Sequence, residues 1–374
     1  MTEIVNQEKK EFRFSQLDFG TILSKLLKKE SVTNINCWYD NIIVSDNEVG
    51  KEYRYDFSQN TPEEIEEYRA MIMRLPERLA HRMEKPFTHA EPILDAENAE
   101  DDEIGRIRVN AIYTDVVSSD GKYSPAVSIR KTLMKIRINE ENILKTGYAT
   151  KEILDLFEVL INANCSIAIA GQTNAGKTEL LRYISRYLDG LIITIEDTRE
   201  AYLRYNYPKK NILEIKSEPA NYSKFIRSCL RQNPNWIMVS ESRGEEVIDL
   251  LKSSATDHSI ITTLHSSSAM QIPSRIIEMS NATGAYAEHI TRQTYENIQI
   301  GVYIDFQNTS EGSKRKIAEI AEFYMEDNSI KSHMICKYDY ATKKYIYEPI
   351  KSPKIIEKII RRDVDTKKID GVLF

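Results

Sequence analysis

The 374-residue sequence predicts an α/β protein: a mostly parallel sheet interleaved with helices, preceded by a smaller α+β domain. Three observations carry this expectation. Short apolar runs alternate with helical stripes through the second half only, at residues 166–170, 191–195, 236–240 and 259–264. The first of these runs leads into Gly171-Gln172-Thr173-Asn174-Ala175-Gly176-Lys177-Thr178, which has the spacing of a phosphate-binding P-loop. The chain also exceeds the usual length of one domain, so two cores are expected.

In order along the chain, residues 1–14 are expected to be disordered, and residues 15–29 read as an amphipathic helix. Leu17, Phe19, Leu23, Leu26 and Leu27 supply its apolar side. Between 32 and 58, Asn41-Ile42-Ile43-Val44 and Tyr53-Arg54-Tyr55-Asp56-Phe57 alternate as hairpin strands do. Thr61-Pro62-Glu63-Glu64 starts a helix, with a Thr cap, Pro at the first helical position and Glu three residues after the cap. That helix runs toward Met83 with a bend at Pro76. Residues 91–103 hold seven acidic side chains and no basic one, which reads as a solvated loop. Strand character resumes at 106–115 and 126–130.

Packing signals thin out after residue 131, which places an N-terminal domain over 1–140, a linker over 141–150 and the second domain over 151–350. In the second domain a helix over 150–162 leads into the P-loop strand. Residues 177–188 follow with Leu180, Leu181, Ile184 and Leu188 on one stripe, and further helices are expected at 222–231 and 245–253. Strands at 298–306 and 317–325, with a polar turn at 308–314 between them, read as an added antiparallel hairpin. In a C-terminal tail over 351–374, Ser352-Pro353 opens an amphipathic stretch. Its Ile355, Ile356, Ile359 and Ile360 are expected to pack on the second domain, although the surrounding Lys354, Lys358, Arg361 and Arg362 would also suit an acidic membrane surface.

Composition narrows the classes. Hydrophobic residues at 41% and charged residues at 29% are those of a soluble globular protein, no apolar run reaches membrane-spanning length, and the start lacks the apolar core of a signal peptide. A cytoplasmic location is expected. Cys37, Cys165, Cys229 and Cys336 are scattered without paired spacing, which argues for reduced thiols rather than disulfides or a zinc cluster. A net charge of −6 gives no global attraction to nucleic acid, so no direct nucleic-acid binding is expected.

The P-loop residue types follow from phosphate chemistry. Glycines at both ends let the main chain curl so that successive N–H groups and a helix N-terminus point at phosphate oxygens. Lys177 can reach the β- and γ-phosphates, and the Thr178 hydroxyl can complete the coordination of a magnesium ion that keeps most of its waters. Reacting groups in such sheets gather at the carboxyl ends of strands. There the sequence places Glu196-Asp197, Glu241 and His265: carboxylates able to hold a magnesium-bound or attacking water, and an imidazole suited to a γ-phosphate. His81, His89, His258, His289 and His333 form no metal-ligand spacing.

The ordered set resembles the traffic ATPases of type II and type IV secretion. It comprises the P-loop, then Thr194-Ile195-Glu196-Asp197-Thr198-Arg199-Glu200, then Leu230-Arg231-Gln232-Asn233-Pro234 with Val239-Ser240-Glu241-Ser242-Arg243-Gly244-Glu245, and finally Thr262-Thr263-Leu264-His265-Ser266. These four stretches are similar to that family's Walker A, Asp, Walker B and His boxes. Upstream, Arg108-Val109-Asn110-Ala111-Ile112 and Val127-Ser128-Ile129-Arg130-Lys131 resemble arginine-bearing segments of its N-terminal domain.

The resemblance implies a RecA-like P-loop ATPase domain that binds ATP and Mg2+ through residues 171–179, Glu179 included. It implies Glu196 as catalytic acid, Glu241 as the Walker B glutamate that also holds the metal through water beside Thr178, and His265 as the γ-phosphate contact. Arg108, Arg130 and Arg231 are similar to arginines that reach phosphate across a domain or subunit boundary. It further implies a homo-hexameric motor of secretion, pilus assembly or conjugation, working with inner-membrane platform proteins at the cytoplasmic face of the membrane, with peripheral membrane association compatible. A nucleic-acid translocase on a similar core and a non-hydrolysing assembly factor are the alternatives. The chain departs from the family pattern at Asn235, Ser240, Asp257 and Glu179, where Asp, Gly, Gly and Thr are usual. Of these, Ser240 adds a side chain beside the acid and would slow turnover.

Overall fold

The computed structural model describes residues 17–47, 50–97, 105–114, 118–119, 122–256, 258–309 and 312–373. The chain divides into two compact units, one of residues 1–134 with 308–314 and one of residues 135–307 with 315–374. Residues 1–14, expected to be disordered, lie outside the described residues.

The first unit contains α1 (Gly20–Lys28), β1 (Val32–Trp38), β2 (Asn41–Asp46), β3 (Lys51–Arg54), α2 (Pro62–Met83), β4 (Ile93–Glu97), β5 (Arg106–Ile112), β6 (Ser118–Ser119), β7 (Lys122–Tyr123) and β8 (Ala126–Thr132). Six of these strands form an antiparallel sheet in the order β3-β2-β1-β8-β5-β4. Its apolar face packs with Leu23 and Leu27 of α1 and Ile72, Leu75 and Leu79 of α2. The start of α2 is the capping box expected, with the Glu64 amide donating to Thr61 Oγ1 and the Thr61 amide to Glu64 Oε2, and the helix continues through Pro76 to Met83. Helix α1 is shorter than the predicted 15–29, although all five of its predicted apolar residues are buried. Part of the acidic stretch is a strand, not a loop: in β4 Leu94 and Ala96 are buried while Ile93 and Asp95 are exposed, and this alternation pairs it with β5.

The second unit contains α3 (Glu140–Thr146), α4 (Lys151–Asn162), β9 (Ile167–Gly171), α5 (Lys177–Ile184), β10 (Leu191–Glu196), α6 (Leu203–Asn206), β11 (Asn211–Lys216), α7 (Tyr222–Cys229), β12 (Trp236–Val239), α8 (Glu246–Ser254), β13 (Ser259–Leu264), α9 (Ile272–Met279), α10 (Gly284–Asn297), β14 (Ile300–Thr309), β15 (Gly312–Glu326), β16 (Ser329–Asp339), β17 (Lys344–Tyr347) and α11 (Pro353–Arg361). Helix α3 occupies the residues expected to be a linker, held by reciprocal caps between Asn139 and Asn142 and closed by Gly147. The sheet runs β11-β10-β12-β13-β9-β14-β15-β16-β17 and is parallel from β11 through β14. The strands at 298–306 and 317–325 are therefore part of the main sheet, since β14 lies parallel to β9.

Period-two alternation fills both faces of the parallel region. Ile167, Ile169, Trp236, Met238 and Ile261 pack on one side with α4 and α5, while Ala168, Ala170, Ile237, Val239 and Ile260 pack on the other with α7 to α10. Helix α11 joins the first of these cores. Ile355 and Ile359 are buried there, Ile360 is exposed, and Lys354 and Lys358 donate to the backbone oxygens of Glu296 and Asn164. These two lysines thus serve to fasten the helix to its own unit.

Candidate functional site

The strand order brings the carboxyl ends of β10, β12, β13 and β9 side by side, so Glu196, Glu241, His265 and Gly171 converge on one edge of the sheet. The loop from Gly171 to Gly176 then turns into α5, with Gln172, Thr173 and Asn174 exposed and Ala175 buried. Two positions require glycine. Gly176 has φ +94°, and a Cβ on Gly171 would stand 2.8 Å from the Ile304 carbonyl oxygen.

Lys177 Nζ donates back across the loop to the Gly171 oxygen at 2.8 Å and the Gln172 oxygen at 3.2 Å, so the ammonium spans the concave side where an anion would sit. Thr178 Oγ1 donates to Glu200 Oε2 at 3.4 Å. The carboxylate of Glu179 accepts from the amides of Arg137 and Ile138 and from Arg182 Nη1, which makes this departure from the family pattern a brace for the segment ahead of α3.

Glu241 sits at the centre of a charge network. Its Oε1 lies 2.9 Å from His265 Nε2, its Oε2 accepts from Arg243 Nη2 at 2.6 Å, and Arg243 Nη1 reaches Asp197 Oδ2 at 3.5 Å. Burial alone would raise the Glu241 carboxyl. The bond from Arg243 and the charges of Arg243, His265 and Lys177 outweigh it, leaving Glu241 below the usual carboxylate range and ionised. The turn beneath is buttressed by the buried Ser242 and Thr262 hydroxyls, 2.7 Å apart, and by the Ser242 amide on the Thr263 oxygen. Ser240 is half-buried, its carbonyl oxygen accepts from Thr263 Oγ1, and its amide donates to the Ile195 oxygen at 3.1 Å.

Glu196 is different. Its side chain is buried, and Oε2 accepts from the amides of Glu200 and Ala201, both at 2.9 Å. Burial pushes this carboxyl up to about 7, against which the two amide bonds act only in part. By accepting these two amides, Glu196 also turns the following loop so that Glu200 comes to Thr178. Glu200 carries no signal of its own in the sequence, because its place beside Thr178 depends on how residues 197–201 turn.

Thr178 and Glu200, 3.4 Å apart, and Glu241 at the neighbouring strand end carry hard oxygen donors of the kind that hold Mg2+ largely through water. Among the described residues there is no cluster of three or more His, Cys, Asp or Glu that could hold a metal by itself. Arg108 and Arg130 stand opposite each other on β5 and β8 of the first unit, and Arg231 is exposed just beyond α7. Asn235 lies at the other end of β12 from Glu241, where its Oδ1 accepts from the Leu191 amide at 2.8 Å. Asp257 lies outside the described residues.

The sequence matches the family described as type II/IV secretion system protein over residues 87–370. It is 29% identical over 274 residues to an uncharacterised protein of Bacillus anthracis, covering 72% of this chain and 58% of that one. It is 30% identical over 168 residues to the type IV secretion system protein VirB11 of Brucella suis biovar 1, covering 41% of this chain and 46% of that one. The chain thus spans about half the length of these curated relatives. Among solved structures it is similar to the ATPase DotB of Yersinia pseudotuberculosis, with a TM-score of 0.57 at 16% identity over 85% of this chain and 81% of that one. That likeness shows the predicted α/β fold with its mostly parallel sheet.

Proposed function

The chain belongs to the type II/IV secretion system protein family, and from that premise we propose that it is an ATP-hydrolysing motor. It works as a homo-hexamer at the cytoplasmic face of a membrane, with inner-membrane platform proteins of a secretion, pilus-assembly or conjugation apparatus as partners. The observation that carries this reading is the convergence of the Lys177 ammonium and the Glu241–His265 pair on one sheet edge.

In this reading the loop amides and Lys177 bind the triphosphate. Glu241 orients the attacking water, and His265, 2.9 Å from it, meets the γ-phosphate. Thr178, Glu200 and Glu241 would hold Mg2+, which supplies charge neutralisation on the phosphates when bound. Water attacks the γ-phosphorus in line, the bond to the β-phosphate oxygen breaks, and ADP leaves. Arg108, Arg130 and Arg231 bring further positive charge to the transferring group, for which an arginine is worth roughly a thousandfold or more.

Phosphate release from ATP by the wild type and by Glu241→Gln, each with and without DNA, tests this. Hydrolysis that is lost in Glu241→Gln and indifferent to DNA supports the motor. DNA-stimulated turnover points to a translocase, and ATP binding without hydrolysis in the wild type points to an assembly factor.

A further inference from the structure

Arg315, on β15, stands beside the P-loop without having been marked by any sequence motif. Its Nε donates to the Asn174 carbonyl oxygen at 3.0 Å, and its guanidinium lies over the Phe306 ring at 4.6 Å. Its Cδ is 3.7 Å from the point a Cβ on Gly176 would occupy. From the neighbouring strand the Phe306 oxygen accepts from Gln172 Nε2. The loop is therefore tied to β14 at its first residue and to β15 at its crest.

The crest peptide is pinned at both ends. The Asn174 carbonyl and the Ala175 amide share one rigid plane, Arg315 holds the oxygen, and the Ala175 N–H donates to the Gln172 oxygen at 3.2 Å. Asn174 itself has φ +65°, a conformation an unsupported loop would leave readily. The guanidinium is also in a costly place: burial and the like charge of Arg137 depress it, and no carboxylate among the described residues pairs with it. A lone, half-buried cation bonded to a backbone carbonyl and stacked on an aromatic ring is oriented by its surroundings.

We propose that Arg315 is a positioning residue that holds the P-loop in its phosphate-receiving shape from the neighbouring hairpin. This rests on the reading that the loop takes a nucleoside triphosphate.

The test uses the full chain with Arg315→Gln, Arg315→Lys and Lys177→Ala, measuring ATP affinity, kcat and KM, and amide exchange at residues 172–176 without nucleotide. Loss of one charge-assisted hydrogen bond is expected to weaken ATP binding about tenfold in Arg315→Gln. Exchange in the loop should quicken by a similar factor while kcat at saturating ATP stays within about threefold, and Arg315→Lys, which keeps a donor, should restore most of the affinity. Wild-type affinity and wild-type exchange in Arg315→Gln overturn the proposal. If Arg315→Gln melts below the assay temperature, Phe306→Leu decides instead: a several-fold loss of affinity supports the proposal, and unchanged affinity overturns it. If Lys177→Ala abolishes ATP binding while Arg315→Gln spares it, only the role of Arg315 falls. If Lys177→Ala also binds ATP normally, the nucleotide reading itself falls.

Discussion

Glu196→Gln isolates the ionisation of a buried carboxyl while leaving an oxygen that can still accept from the Glu200 and Ala201 amides. In the folded protein burial moves this carboxyl from its ordinary 4.5 to about 7. The folded state therefore keeps a proton that the unfolded chain has already released. The stability contributed is complete below the unfolded value and is lost as pH rises through the folded one, so the window runs from about pH 4.5 to pH 7. A displacement of that size corresponds to about 3 kcal/mol. Glu322, buried beneath the start of α11 and also pushed up to about 7 by burial, contributes with the same sign. It is unchanged in the variant and cancels in the comparison. Urea unfolding of wild type and Glu196→Gln at pH 5 and pH 8 is the assay. The wild type is expected to lose about 3 kcal/mol more than the variant between the two pH values. Equal pH dependence in both proteins would refute the claim that the carboxyl of Glu196 is desolvated. It would make Glu196 a solvated carboxylate with an ordinary ionisation.

Three further outcomes follow from the same geometry. Glu241→Gln is expected to bind ATP as the wild type does while hydrolysis falls by roughly a hundredfold to ten-thousandfold, read by nucleotide binding alongside phosphate release. Arg243→Ala removes the bond that holds Glu241 below the usual carboxylate range, so the acid limb of the kcat/KM profile should move to higher pH, as a pH series would show. Ile355→Ala, at a fully buried position of α11, should cost about 2–5 kcal/mol, whereas Ile360→Ala, 71% exposed on the same helix, should stay within about 0.5 kcal/mol. Thermal melts of both variants decide whether α11 belongs to the core.

The parts of the fold legible in the sequence are those whose burial is two-sided. Strands β9, β10, β12 and β13 are covered on both faces, so they read as continuous apolar runs that no helix stripe imitates. Strand β11, with Asn211 and Leu213 exposed, and β17, with Lys344 and Ile346 exposed, stand at the sheet's edges and carry no such signal. Strand β4 is hidden by the charges that make it look solvated. Helix α10 is masked by polar residues that turn inward, since Thr294 and Asn297 are buried and bonded to their own helix.

The site divides the same way. Lys177, Glu241 and His265 lie at strand ends or in the loop, where strand order alone brings them together. Glu196 shares that strand-end placement, whereas Glu200, Arg243 and Arg315 depend on turns and on a distant strand, and residue type gave no order among them. Asn235 shows why departures from a family pattern need coordinates. Its side chain fills the space beside Gly190, where any Cβ would stand 2.0 Å from Asn235 Oδ1, and it fixes the start of β10 at the end of the sheet opposite the P-loop. Such a residue governs how β10 and β12 are aligned, and through that alignment where Glu196 and Glu241 emerge, without meeting the P-loop itself.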